Sequence, residues 1–332
     1  MRLWTPRGFC TPLVILTTSL VALTLAACRK DGGAGADSTK PGASGATKTI
    51  GVTLLTREDE FYRQLEEGLR QAAAAHNYKI LITSGDRDLA KQQAQIDNFI
   101  VQKLDAIVVC PVDSRGIGPA IERANAAKIP VFTADIAAQG GQVVSHVASD
   151  NIEGGKLAAE FIAKAIGDTG TVGVIGENDV QTTIDRQQGF TQALASHPKI
   201  KIVAQLDGAG VRDRSLRAAD DLLQAHPNVS AIFAINDESA LGTLAAVQAR
   251  KTHPVIVGYD AAPEAQRAIG GGTALKADVA QQPKLIGQKT VDAIASYFAG
   301  QTPPAKIAVP VTMVDSQAVK MAAASDSAKA PR

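Results

Sequence analysis

Val143-Val-Ser-His-Val-Ala-Ser-Asp-Asn-Ile-Glu-Gly-Gly155 changes character in its middle. Val143 to Ser149 is a β-rich run, whereas Ser149-Asp150-Asn151 is a helix start followed by two glycines. Upstream, an apolar strand followed by a helix-period segment recurs four times; downstream the same alternation begins afresh. The stretch is therefore read as the first crossover between two similar lobes, with function expected in the cleft that it spans.

Working outward, the upstream strands are Thr49 to Leu55, Tyr78 to Thr83, Asp105 to Cys110 and Ile129 to Ala134. Helices follow from about Phe61 (Phe61, Leu65, Leu69 and Ala72 on one face), from Leu89 to Val101, and up to Ile121. Downstream strands are Thr171 to Gly176, Ile200 to Leu206, Ala231 to Ile235, Val255 to Tyr259 and Ala274 to Ala280. Their near-continuous apolar runs imply burial on both faces, hence parallel sheets with right-handed helical crossovers. A helix from Pro283 to Phe298 returns to the first lobe, and Ile307 to Val314 is a closing strand broken by Pro310. The predicted class is α/β, with two doubly wound parallel-sheet lobes joined by a three-crossing hinge.

The composition suits a globular body, 45% hydrophobic and 20% charged over 332 residues. The formal charge of +1 hides an asymmetry, because the first 47 residues carry Arg2, Arg7, Arg29, Lys30 and Lys40 against Asp31 and Asp37. The remainder is left slightly acidic, which argues against a nucleic-acid partner. Arg2 and Arg7 precede an apolar run from Pro12 to Ala27, the layout of a secretory signal peptide. It ends in Leu25-Ala26-Ala27-Cys28, which resembles the bacterial lipobox, whose cysteine is acylated and becomes the new N-terminus. The Gly/Ala/Ser/Lys-rich segment from Arg29 to Thr47 is expected to act as a flexible tether. Cys110 is read as a small unpaired hydrophobe in a buried strand.

In doubly wound sheets, ligands bind beyond the carboxyl ends of the strands. Those ends carry Asp59 and Phe61, Asp135, Asn178-Asp179, Asn236-Asp237-Glu238, Tyr259-Asp260 and Gln281-Gln282. Carboxylates accept hydroxyl hydrogen bonds, amides both donate and accept, and an aromatic face covers the C–H side of a sugar ring. A neutral polyhydroxylated ligand fits that set. Asp237 is read as a helix cap rather than a ligand, and His146 as a structural histidine of the crossover strand. Neither a dinucleotide fingerprint, a P-loop nor a Gly-x-Ser-x-Gly elbow occurs. Glycoside hydrolysis needs one carboxyl of raised pKa, whereas Arg186 is expected to keep Asp135 and Asp260 both ionised. The chain is therefore read as no enzyme.

Five pieces, Val143 to Asn151, Ala225-His-Pro-Asn-Val229, Ala231 to Gly242, Val257-Gly-Tyr-Asp-Ala-Ala-Pro263 and Ala280-Gln-Gln-Pro283, resemble the periplasmic sugar-binding proteins of ABC transporters. The likeness is to the ribose-, galactose- and allose-binding type. It implies the periplasmic binding protein type I fold and hydroxyl binding by Asp135. It also implies a guanidinium donor at Arg186, contacts from Asn236, Asp260 and Gln281, and ring stacking by Phe61. Asp59 resembles the galactose pattern at a position where ribose binders carry asparagine. A repressor of the lactose-repressor type shares such a body but needs a basic helix-turn-helix, where this chain has a signal and tether.

The match departs from ribose binders at Ile136, where they carry arginine, and at Leu55, where they carry serine. No aromatic stands around Gly208-Ala209-Gly210, which leaves Phe61 and Tyr259 as the stacking candidates. The resemblance implies a monomeric, periplasmic or envelope-bound protein handing a pentose or hexose to a membrane permease without a cofactor. The lipobox-like motif implies a lipoprotein anchored through Cys28, and no metal is implied, because the acidic calcium-binding loop of the galactose-binding type is absent. A sensing subunit for a chemoreceptor or histidine kinase, and a polyol, purine or furanone ligand, stay open. The expected boundaries are a signal peptide over 1–27, a tether over 28–47, an N-terminal lobe of 48–149 plus 282–310, a C-terminal lobe of 150–281 plus 311–320, and a frayed tail over 321–332.

Overall fold

A computed structural model describes residues 47–329. The signal peptide, Cys28 and all but the last residue of the tether lie outside the described residues. The first lobe contains β1 (Thr49–Leu54), α1 (Glu60–Ala75), β2 (Lys79–Ser84), α2 (Leu89–Val101), β3 (Ala106–Val109), α3 (Gly118–Ala126), β4 (Val131–Ala134) and β5 (Ser145–Ser149). The second runs through α4 (Asn151–Ala165), β6 (Gly170–Gly176), α5 (Gln181–Leu194), β7 (Ile200–Asp207), α6 (Arg212–Ala225), β8 (Ala231–Ala234), α7 (Asp237–Arg250), β9 (Val255–Asp260), α8 (Pro263–Gly270) and β10 (Leu275–Ala280). Then α9 (Pro283–Phe298) and β11 (Lys306–Val309) rejoin the first lobe, before β12 (Thr312–Asp315) and α10 (Ser316–Lys329) return to the second.

The two sheets have the same layout, β11-β5-β4-β3-β1-β2 and β12-β10-β9-β8-β6-β7. All ladders are parallel except β10 with β12. Each sheet has a core on both faces, because successive strand side chains alternate. In β3, Ala106 and Val108 pack with Leu65, Leu69 and Ile286 of α1 and α9, while Ile107 and Val109 pack with Ile96 and Phe99 of α2. In β8, Ile232 and Ala234 face α6 and α7, and Phe233 stacks on Phe190 of α5 at 4.6 Å. Continuous apolar runs thus fill both faces, as the double winding requires.

The chain passes between the sheets after β5, after β10 and between β11 and β12, so the expected three crossings are present. Pro310 divides what the sequence suggests is one closing strand into two, each on a different sheet. At the first crossing, the Asp150 carboxylate accepts the Glu153 N–H at 3.1 Å and caps α4. His146 bonds Thr133 Oγ1 through Nδ1 at 2.8 Å, and burial, aided by Lys306, pushes its pKa down to about 4. Cys110 is buried and unpaired.

At the end of the described residues, α10 begins at Ser316 and runs to Lys329. The Asp315 carboxylate accepts the Gln317 and Ala318 N–H groups, both at 2.9 Å, and Val319 packs on the second lobe's core. An alanine-rich segment with a capping aspartate and an apolar anchor is a competent helix.

Candidate ligand-binding cleft

The carboxyl ends of both sheets face one cleft. Two adjoining cavities occupy it, an outer one of about 280 Å³ and an inner one of about 40 Å³, and both are walled by Asp59, Phe61, Asn236 and Asp260. Asp135, Arg186 and Gln281 line the inner cavity. Seven of the eight predicted residues therefore meet at one place. Tyr259 does not.

Asp135 follows β4 in a left-handed conformation, φ +63°. Its N–H donates to Val147 O at 2.8 Å, which fixes it to β5 just ahead of the first crossing. Tyr62 of α1 donates its hydroxyl to Asp135 Oδ2 at 2.8 Å, and Oδ1 is buried without a partner. Burial pushes the Asp135 pKa up to about 6, against the pull of Arg186 and the Tyr62 hydrogen bond. Asp59 sits at the N-cap of α1 but makes no capping bond; its Oδ2 instead accepts Arg87 Nη2 at 2.9 Å. Phe61, one residue into α1, is 8% exposed and meets Tyr62 edge-on at 5.1 Å.

From the second lobe, Arg186 of α5 donates through Nε to Asn151 Oδ1 at 2.9 Å and through Nη1 to Ile235 O at 2.7 Å. Nη1 also stands 3.6 Å from Asp260 Oδ1, and the guanidinium lies over the Tyr259 ring, 3.8 Å from its centre. Asp260 ends β9 at φ +108°, a strained conformation of the kind that clusters at functional sites. Its Oδ1 accepts Gln281 Nε2 at 2.6 Å, while Gln281 Oε1 is buried without a partner. Burial pushes the Asp260 pKa up to about 7, overriding Arg186 and Gln281.

These shifts correct one expectation. Arg186 does not hold Asp135 and Asp260 in the ordinary carboxylate range, because the cost of burying each charge exceeds the attraction of one guanidinium. Tyr259 is a second departure. It is fully buried rather than a stacking face, since alternation along β9 turns Tyr259 under α4 and Asp260 into the cleft. Its hydroxyl is 3.3 Å from Asn151 Oδ1, and a Cβ on Gly154 would fall 1.9 Å from that oxygen. Close packing over Tyr259 therefore requires a glycine in the crossing stretch. Asn236, not Asp237, is the N-cap of α7: Oδ1 accepts Ser239 N–H at 2.8 Å, and Nδ2 donates to Gly210 O at 3.1 Å. Asp237 is buried beside Asp278 instead.

Sequence reasoning missed Tyr62, Arg87, Glu177, Thr182 and Thr183, all of which line the inner cavity. Glu177 follows β6 directly, one residue ahead of the Asn178-Asp179 pair singled out above, and the rule that selects strand ends selects it as well. Burial pushes its pKa up to about 7 against Arg87 and Arg186. The lobes touch along this edge: Ser114 N–H donates to Asp179 O at 3.0 Å, Gln181 N–H to Ser114 Oγ at 2.9 Å, and Thr182 Oγ1 to Asp135 O at 3.1 Å. Among the described residues, no cluster of His, Cys, Asp and Glu is arranged to hold a metal ion.

The periplasmic binding protein domain family matches residues 50–302. The ribose import binding protein of Salmonella typhimurium is 36% identical over 82% of this chain and 92% of its own length. A solute-binding protein of an Agrobacterium vitis ABC transporter, solved with α-D-tagatopyranose, superposes with a TM-score of 0.79 at 28% identity, over 84% of this chain and 98% of its own. One from Actinobacillus succinogenes, solved with D-allose, gives a TM-score of 0.77 at 26% identity, over 83% of this chain and all of the other.

Proposed function

This chain belongs to the periplasmic binding protein family, and on that footing we propose that it captures a monosaccharide between its lobes for import by an ABC transporter. One observation carries the reading. Asp135 Oδ1 and Gln281 Oε1 are buried acceptors without donors, on residues that line one cavity together with the Arg186–Asp260 pair. A buried acceptor left unpaired costs about 1–3 kcal/mol, and sugar hydroxyls are the donors that relieve it.

Asp59, Phe61 and Asp135 come from one lobe, and Arg186, Asn236 and Asp260 from the other, so only a closed cleft lets all six touch one ligand. Closure about the three crossings follows from that division, because the ligand selects the state in which it makes more contacts. Tyr259 acts beneath Arg186 rather than on the ligand. The wider assignment is a binding rather than catalytic protein, monomeric, in the periplasm or cell envelope, with a membrane permease as partner. The binding role, the compartment and the permease partner draw support from the naming of its relatives as import and solute-binding proteins. Anchoring through a lipidated Cys28 rests on the Leu25-Ala26-Ala27-Cys28 motif.

Calorimetry with a panel of pentoses, hexoses, polyols and nucleosides tests the reading. At least one monosaccharide is expected to bind with an affinity of micromolar order, about −8 kcal/mol. A response to nucleosides alone would overturn it. Tryptophan fluorescence cannot serve after cleavage at Cys28, because Trp4 is the sole tryptophan.

A further inference from the structure

Arg87 and Glu177 stand in opposite lobes, just beyond the ends of β2 and β6. Arg87 Nη1 lies 3.6 Å from Glu177 Oε1 and 3.3 Å from Ala209 O, while Nη2 reaches Gly210 O at 3.4 Å and Asp59 Oδ2 at 2.9 Å. The guanidinium thus spans the cleft, held by Asp59 at home and by a carboxylate and two carbonyls across it. The Glu177 carboxylate is buried, and among the described residues Arg87 is its one ion-pair partner.

This pair occupies the wall where the sequence lacks an aromatic. Gly210 has φ +62°, and a Cβ there would fall 2.8 Å from Glu177 Oε2 and 3.1 Å from Asn236 Nδ2. The carboxylate therefore packs against bare backbone at the point where a ring side chain has no room. Both residues line the inner cavity together with Asp135, Arg186 and Asp260.

We propose that Glu177 is a specificity-determining residue of the cleft, accepting a ligand hydroxyl at the wall without a stacking ring, and that Arg87 closes that wall from the other lobe. The pair also selects by charge. Both terminal nitrogens of Arg87 are turned onto protein oxygens, so this guanidinium offers little to an anion. The unpaired acceptors Asp135 Oδ1 and Gln281 Oε1 demand donors instead. A carboxylate or phosphate on the ligand offers no donor to these acceptors and would lie in a desolvated space against the carboxyl groups of Asp135, Glu177 and Asp260, which is how a site rejects a near-analogue. A neutral, donor-rich sugar is accepted and its acid or phosphate ester refused. This inference rests on the sugar-binding reading.

Calorimetry and stopped-flow dissociation on the purified protein test it, with ribose, allose and tagatose set beside ribose 5-phosphate and glucuronic acid. The wild type is expected to bind a neutral sugar and neither anion. Glu177→Gln should weaken that sugar by about tenfold or more, change the order among sugars that differ by one hydroxyl, and narrow the gap to the anionic ligands. Arg87→Met should speed dissociation of every bound sugar while leaving their order intact. The inference is overturned if both variants keep wild-type affinity and ligand order while Asp135→Asn loses binding. It is equally overturned if the wild type prefers an anion. Should the wild type bind no sugar at all, the sugar reading fails first and takes this inference with it. Glu177→Gln is nearly isosteric, and its melting curve separates a lost contact from a lost fold.

Discussion

The Arg186 guanidinium rests on the face of Tyr259, 3.8 Å from the ring centre, and both side chains meet Asn151 Oδ1. A charged donor is thus held in the cleft by an aromatic ring below and by an amide of the first helix after the crossover. Cation–π contact in a desolvated place is worth about 2 kcal/mol, enough to fix a long side chain in one rotamer.

Tyr259→Phe keeps the ring and should leave ligand affinity within about threefold, because the 3.3 Å contact to Asn151 is a weak hydrogen bond. Tyr259→Ala removes the ring and opens a cavity, at about 3–5 kcal/mol of stability by analogy with other aromatic truncations. Chemical denaturation checks the second figure. Calorimetry on Tyr259→Leu separates the roles: affinity should fall although the residue touches no ligand, and unchanged affinity would remove Tyr259 from the positioning of Arg186.

Asp135 is costly to fold, since burial holds its pKa near 6 and Oδ1 has no partner. Asp135→Asn keeps an acceptor for Tyr62 and removes the buried charge. Its melting temperature at pH 8 should equal or exceed that of the wild type, while sugar affinity drops by about 10- to 100-fold, the worth of a hydrogen bond to a charged acceptor. Differential scanning fluorimetry with and without sugar reads both effects at once. A variant that melts well below the wild type would show that Asp135 stabilises the fold instead.

Gly154 carries the tightest approach at the crossing, with the Tyr259 hydroxyl 1.9 Å from where its Cβ would lie. Gly154→Ala should therefore displace Tyr259 and tilt Arg186, lowering the melting temperature and the affinity together. The double variant Gly154→Ala/Tyr259→Phe, which removes the clashing oxygen, should recover part of both losses. Additive effects would mean that the two residues do not communicate.

Much of this architecture is written in local pattern. The strands announce themselves as apolar runs, and the crossover at Ser149–Asn151 as a change from strand to capped helix start. The strand-end rule brings seven predicted residues to one cleft, because it depends only on sheet topology. What escaped depends on direction and distance. Tyr259 and Asp260 are neighbours in β9, and only the sheet's alternation decides which one sees the cleft. Arg87 meets Glu177 across 90 positions of chain, a juxtaposition that no local spacing encodes. The burial of Asp278 was invisible for the same reason: its cost depends on what packs above it.

Asp237 and Asp278 are buried side by side behind Asp260, with Asp237 Oδ1 and both Asp278 oxygens lacking hydrogen-bond partners. Burial raises both pKa values, the Asp278 carboxyl raises that of Asp237 further, and the Asp260 charge adds to the rise of Asp278, which is pushed up to about 7, so the pair retains a proton. A carboxyl whose folded-state pKa lies above its unfolded value binds its proton more tightly in the folded protein. Stability therefore falls as pH rises from the ordinary aspartate value of 3.8 through about 7, then levels off. Asp135, Glu177 and Asp260 are raised in the same sense and add to the slope. Between pH 5 and pH 8 the ligand-free protein should melt highest at pH 5 and lose about 2–4 °C for each kcal/mol given up by pH 8. Asp278→Asn should raise the melting temperature at pH 8 and flatten the profile. A wild-type melting temperature that climbs from pH 5 to pH 8 would show that the pair is paired with a cation or hydrated in solution.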